Sequence, residues 1–179
     1  MVTMKNEHFI SVDIEAAGPI PGEFSMLSLG ACSVLDSDLT FMCEFKPINM
    51  NADPKALEVT GLSMQDLKIR GVDPTSGMEQ FKTWIEKTTG EDIPVFVGFN
   101  APFDWSFVNY YFHRFLGANP FGFSGLDVKA FYMGRYGTTW SDTKSTKIAA
   151  TLSISEDGDH NPLHDALYQA KLFKAIRDK

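Results

Sequence analysis

The chain has 179 residues, 44% of them hydrophobic and 22% charged, a globular balance that excludes a disordered protein and suffices for one buried core. A net charge of −7 argues against a broad basic face that would bind nucleic-acid backbone without specificity. It leaves room for a local site where bound cations offset acidic side chains and phosphates.

One domain over residues 1–179 is expected, with 1–7 as a short flexible tail. The opening MVTMKNEHFI has no apolar run long enough for a signal peptide or a membrane span. Residues 8–14 (HFISVDI), 26–35 and 39–45 are rich in β-formers and read as three strands. The polar break Asp36-Ser37-Asp38 is a hairpin signal, so the strands should form an antiparallel meander. Residues 16–25 hold two Gly and two Pro and read as an irregular loop. Cys32 and Cys43 fall in strand-like stretches and read as core residues, and with no signal-peptide or membrane-length apolar run at the N-terminus a reducing, cytoplasmic setting with no membrane partner is the expectation.

Asp53 and Pro54 cap and open a short helix running to about Val59 and stopping at Gly61. Either Ser63 or Asp66 opens a second. Residues 74–88 space Met78, Phe81, Trp84 and Ile85 at helical intervals, and 94–99 (PVFVGF) form the continuous apolar run of a buried strand. Residues 102–116 predict an aromatic-rich helix. Two further helices are expected over 126–136 and 143–152, with room for a short strand ahead of Asp127. In the last helix Asn161 is the cap, Pro162 takes the first position, and Leu163, Ala166, Leu167, Ala170 and Phe173 form the apolar stripe. A meander followed by alternating helix and strand indicates an α/β fold with one mixed sheet flanked by helices.

Asp13 and Glu15 are two apart at the end of a strand, so both carboxylates project from one face. Paired acids repel unless something positive lies between them, and hard oxygen ligands suit Mg²⁺ or Mn²⁺. Such a pair arises by chance about 0.7 times in a chain with this many acids, so alone it is equally a solvated strand end. Asp104, in GFNAPFDW, lies in the first turn of a helix, where the helix dipole alone favours an acid. The functional alternative places it facing Asp13 and Glu15. His160 and Asp165 are five apart in DHNPLHDALYQAKLF. An imidazole titrates in the range suited to a general base near neutrality. His164 adjoins Asp165 and competes for that role; His160 is favoured because its loop position lets it approach a reacting water.

Taken in order, strand Asp-x-Glu, helix-start Asp and His-x-x-x-x-Asp on a final helix resemble the DEDD-type 3′→5′ exonucleases, in the subclass with histidine in its last motif. The resemblance runs from about His8 to Phe173 and includes ALEVTGLSMQDL, which is similar to the family's substrate-contacting connector. It implies a ribonuclease H-like fold with a mixed five-stranded sheet. It also implies two divalent ions, Mg²⁺ or Mn²⁺, held by Asp13, Glu15, Asp104 and Asp165, and His160 taking a proton from the attacking water. The substrate would be a single-stranded DNA or RNA 3′ end and the product a nucleoside 5′-monophosphate. A homodimer is a further arrangement the resemblance allows.

By the same resemblance, backbone at Ala16 and Gly18 meets the terminal nucleotide, although Ala16-Ala17-Gly18 lacks the hydroxyl that relatives usually carry before the Gly. Leu62 would wedge against the terminal base beside Val59 and Thr60, and Asn100 and Phe103 match substrate-side positions. Phe99 stands where many relatives have His. For each of these, core packing or capping is an equal reading. Most of the aromatics over 103–115 should be core, with one or two near the site. Lys129, Arg135, Lys144 and Lys147 are the candidates for a local phosphate-binding patch. Two other functions stay open: a catalytically silent binding module on the same fold, and a different two-metal nuclease or phosphatase.

Overall fold

The computed structural model describes residues 5–155 and 159–178. Its centre is a five-stranded sheet in the order β3-β2-β1-β4-β5. Strands β1 (Glu7–Ala16), β2 (Met26–Ser33) and β3 (Thr40–Glu44) form the antiparallel meander, whereas β4 (Ile93–Gly98) and β5 (Gly125–Asp127) run parallel to β1. In the β2–β3 turn the Asp36 carbonyl and carboxylate accept from the N–H groups of Leu39 and Asp38. Strand β1 begins at Glu7, and the Asn6 carbonyl already accepts from Ile93 N–H. Of the tail expected over 1–7, residues 1–4 lie outside the described residues.

Sequence marks most helix ends. Asp53 caps α1 (Pro54–Thr60), Gly61 ends it at φ 64°, and Ser63, not Asp66, caps α2 (Met64–Arg70). Asp73 caps α3 (Pro74–Thr89), and α4 spans Pro102–Leu116. The helix expected from residue 126 instead starts at Val128. Leu126 and Asp127 belong to β5, and the Asp127 side chain accepts from Ala130 N–H to cap α5 (Val128–Tyr136). A 3₁₀ turn, Trp140–Asp142, precedes α6 (Ser145–Leu152), which is therefore shorter than expected. Asn161 caps α7 (Pro162–Arg177) by accepting from the N–H groups of Leu163 and His164.

Strand parity divides the core into two layers. Ile10, Val12 and Ile14 of β1 pack with Met78, Phe81 and Ile85 of α3 and with Phe107, Tyr111 and Phe112 of α4. Phe9 packs on the opposite face with Val128 and Tyr132 of α5, Ile148 of α6 and Leu172, Phe173 and Ile176 of α7. The result is a helix–sheet–helix sandwich. Cys32 and Cys43 are buried and free, and burial pushes their thiols up to about 12 and about 11. Among the described residues no helix is long and apolar enough to cross a membrane.

Candidate active site

The parity that sends Ile10, Val12 and Ile14 to α3 and α4 sends Asp13 and Glu15 to the face covered by α7. Gly30 lies opposite Asp13 in the β1–β2 register. A Cβ on Gly30 would come within 2.2 Å of Leu163 N, so the first turn of α7 rests on bare β2 backbone. That close approach brings Asp165 and Gln169, one helical turn apart, up to the acids of β1. Gln169 Nε2 donates to Asp13 Oδ1 at 2.5 Å, and its Oε1 accepts from Phe99 N–H at 2.9 Å. Gln169 is only 5% exposed, so this amide ties α7, β1 and the end of β4 together.

Asp104 arrives from the other layer. Strand β4 pairs with β1 only as far as Ser11↔Val97, which leaves that edge of β1 free beyond Ser11. There the Ile14 N–H, between the two acids, donates to Asp104 Oδ1 at 3.1 Å. The start of α4 is held by Asn100 at φ 63°, whose carbonyl accepts from Phe103 N–H, and by Asp127, which accepts from Ala101 N–H at 2.7 Å. Asn and Asp tolerate this left-handed backbone better than other side-chain-bearing residues do.

The acids perturb one another. Burial holds Asp13 well above the usual carboxylate range, and the charges of Asp104, Asp165 and Glu15 raise it further against the Gln169 hydrogen bond. Burial, then Asp165, lifts Glu15 from 4.5 to about 7. Asp104 is pushed up to about 8, chiefly by burial, with the Ile14 N–H opposing and Glu15 and Asp127 adding. Asp165 is raised by burial and pulled back by His160. Crowded, desolvated oxygen donors of this kind suit a hard divalent cation, whose charge removes the repulsion.

The two histidines part company. Glu15, His160 and Asp165 each offer a ligand atom, all within 4.8 Å of one another, and His160 adopts φ 61° in the loop ahead of the Asn161 cap. His164 instead turns its Nδ1 to Asp159, at 3.0 and 3.1 Å from the two carboxylate oxygens. Its hydrogen bond is the leading reason the Asp159 carboxyl lies below its usual range.

Two cavities flank the acids. One, of about 230 Å³, is lined by Asp13, Phe99, Ser145, His160, Asp165 and Gln169, among others. The other, of about 380 Å³, has Glu15, Ala16, Gly18, Val59, Thr60 and Phe103 in its wall, and suits one nucleotide unit better than a duplex. Leu62 and Asn100 line neither. Leu62 packs behind the wall against Ala17, Leu27, Met64 and Leu67, and Asn100 is exposed in its turn. Of the helical aromatics Phe107, Tyr111 and Phe112 are buried, and Phe103 reaches the cavity. Sequence reasoning missed Gln169, Gly30 and Asp127. Gln169 carried a signal, since it is four residues after Asp165 on one helix face.

The sequence matches the exonuclease family model over residues 10–173. It is 52% identical over 171 residues to the 3′–5′ DNA exonuclease Cap18 of Escherichia coli, covering 95% of this chain and 91% of that one. The chain belongs to the exonuclease family. Within it the chain is a 3′→5′ exonuclease, a hydrolase. Divalent metal dependence is a property of this family. Among solved structures, the nuclease domain of 3′hExo, a DEDDh family member bound to rAMP, superposes with TM-score 0.78 at 18% identity, over 96% of this chain and 92% of that chain. Escherichia coli exonuclease I in complex with a dT13 oligonucleotide superposes with TM-score 0.74 at 17% identity, over 96% of this chain and 41% of that chain. At these identities the two structures share its ribonuclease H-like fold.

Proposed function

We propose that this exonuclease removes nucleoside 5′-monophosphates from the 3′ end of single-stranded DNA. In this reading Asp13, Glu15, Asp104 and Asp165 hold two divalent ions, Mg²⁺ or Mn²⁺, and His160 is the general base. The observation that carries it is the convergence of acids from β1, α4 and α7 on one strand end, with His160 beside Glu15 and Asp165. DNA is favoured over RNA because the relative at 52% identity is named a DNA exonuclease. Two free, buried cysteines favour a reducing, cytoplasmic location.

The cavity walled by Ala16, Gly18, Val59, Thr60 and Phe103 takes the terminal nucleotide, with Phe103 as the flat surface for its base. Glu15 belongs to that wall, so the scissile phosphate falls over the acids. The ions, when bound, supply positive charge that readies water for attack and steadies the leaving 3′-oxygen. His160 takes the proton of the attacking water, and the loop before α7 lets its ring reach it. Asp165 beside it stabilises the imidazolium so formed. Gln169 holds the Asp13 carboxylate in place through its 2.5 Å hydrogen bond.

The test uses matched DNA and RNA oligonucleotides labelled at the 5′ end. A ladder shortening from the 3′ end, faster on DNA, absent with chelator and absent in Asp13→Ala, is expected. Internal cuts, or cleavage that survives chelator, would overturn the proposal.

A further inference from the structure

Four basic residues were candidates for phosphate binding, and the structure separates them. Lys147 is committed to Asp142 at 2.7 Å. Lys129 instead places its ammonium 4.3 Å from the centroid of the Trp140 ring and 5.9 Å from that of Phe99. Phe99 lines the cavity that holds Asp13, His160 and Asp165, so Lys129 links the wall of the acidic cleft to the indole outside it. Chain continuity makes the same link. Five residues after Trp140, Ser145 opens α6 and lines that cavity beside His160.

Trp140 is 53% exposed, a large apolar surface to leave in water. The turn that carries it is nevertheless held in place. Asp142 accepts from the Thr139 hydroxyl at 2.6 Å and from Lys147 at 2.7 Å, and the buried Thr143 donates its hydroxyl to the Trp140 carbonyl at 2.8 Å. An exposed indole with an ammonium against it offers partners for the two things that a single strand presents at each step, a face for the base and a charge for the phosphate. In a chain of net charge −7, a cation at the cleft mouth also offsets the repulsion between the acids and an incoming strand.

We propose that Trp140 and Lys129 seat the strand behind the 3′-terminal nucleotide, the indole stacking a base on the 5′ side of the scissile bond and the ammonium pairing with a backbone phosphate. This rests on the exonuclease reading of the cleft. The seat makes the enzyme favour a strand over a single nucleotide, and it reads no sequence because every base has a π-face.

The test compares a single-stranded oligonucleotide with the p-nitrophenyl ester of thymidine 5′-monophosphate, which has a nitrophenyl leaving group but no nucleotide 5′ of the bond that breaks. Trp140→Ala is expected to raise KM for the oligonucleotide and to cut its kcat/KM advantage over the ester by about 5- to 150-fold, the range for one base stack. Trp140→Phe should restore most of it. Lys129→Ala should flatten the salt dependence of log KM by about 0.7, one phosphate's share on a single strand. Equal losses on both substrates would overturn the proposal, because they report damage to the cleft. So would an unchanged oligonucleotide KM in Trp140→Ala. A wild-type chain inert on both substrates would instead overturn the exonuclease reading, and this inference with it.

Discussion

Replacing Glu15 by Gln should abolish cleavage and yet stabilise the metal-free fold above neutrality. Glu15 is 9% exposed, and its carboxyl rises from 4.5 to about 7, first through burial and then through Asp165. The folded chain therefore keeps a proton that the unfolded chain has released between those values. Stability falls as pH climbs through 4.5, and the loss is complete above about 7. A shift of that size corresponds to roughly 3 kcal/mol, and water reaching the site trims it to about 1–3 kcal/mol. The amide never ionises and escapes this cost. For a chain of this size the gain is a rise in Tm of roughly 3–10 °C. The assay is thermal melting of both proteins with chelator at pH 8 and at pH 5, where Glu15 is protonated in the fold and the gap should shrink to about a quarter. Mg²⁺ or Mn²⁺ at a hundred times Kd should stabilise wild type at pH 8 by about 2.7 kcal/mol per occupied site, enough to close or reverse the gap. A Glu15→Gln protein that melts at or below wild type at pH 8 with chelator would refute the reasoning, as would a gap of the same size at pH 5.

Other perturbations test the remaining parts. His160→Ala should lower kcat by about 10²–10⁴-fold, whereas His164→Ala, which loses only an exposed pairing with Asp159, should stay within a few-fold; single-turnover rates decide between them. Gly30→Ala drives a methyl group into the Pro162–Leu163 backbone, so a loss of about 1–3 kcal/mol in denaturant melts and a drop in kcat are expected together. Gln169→Leu leaves Phe99 N–H without its acceptor and Asp13 without its donor. It should cost about 1–3 kcal/mol and raise the Mn²⁺ concentration needed for half-maximal activity. Unchanged metal requirement in that variant would remove Gln169 from the site.

The parts of the fold written in local chemistry were readable. Asp53-Pro54 and Asn161-Pro162 state helix starts outright, and the Asp36–Asp38 break states a hairpin. Asp127 was harder because one residue does two jobs, ending a three-residue strand and capping the next helix. Periodicity cannot resolve so short a strand. Within the site, Asp13 and Glu15 were legible from strand parity and Asp104 from its helix start. What put them together was not local. Ile14 N–H is free for Asp104 because β4 stops pairing with β1 at Ser11, and α7 comes close because Gly30 has no side chain. That His164 pairs with Asp159 while His160 lies beside Glu15 and Asp165 was likewise not legible, because no spacing rule specifies either contact.

The most direct test of the central claim counts bound metal. Chelator-treated protein is titrated with Mn²⁺ in the presence of a nucleoside 5′-monophosphate, and free Mn²⁺ is read by electron paramagnetic resonance. Two ions per chain are expected in wild type, two in His160→Ala, and at most one in Asp13→Asn, which should also be inactive. An Asp13→Asn protein that still holds two ions and cleaves, or a His160→Ala protein that loses an ion, would contradict a centre in which the carboxylates hold the metal and the histidine handles the proton.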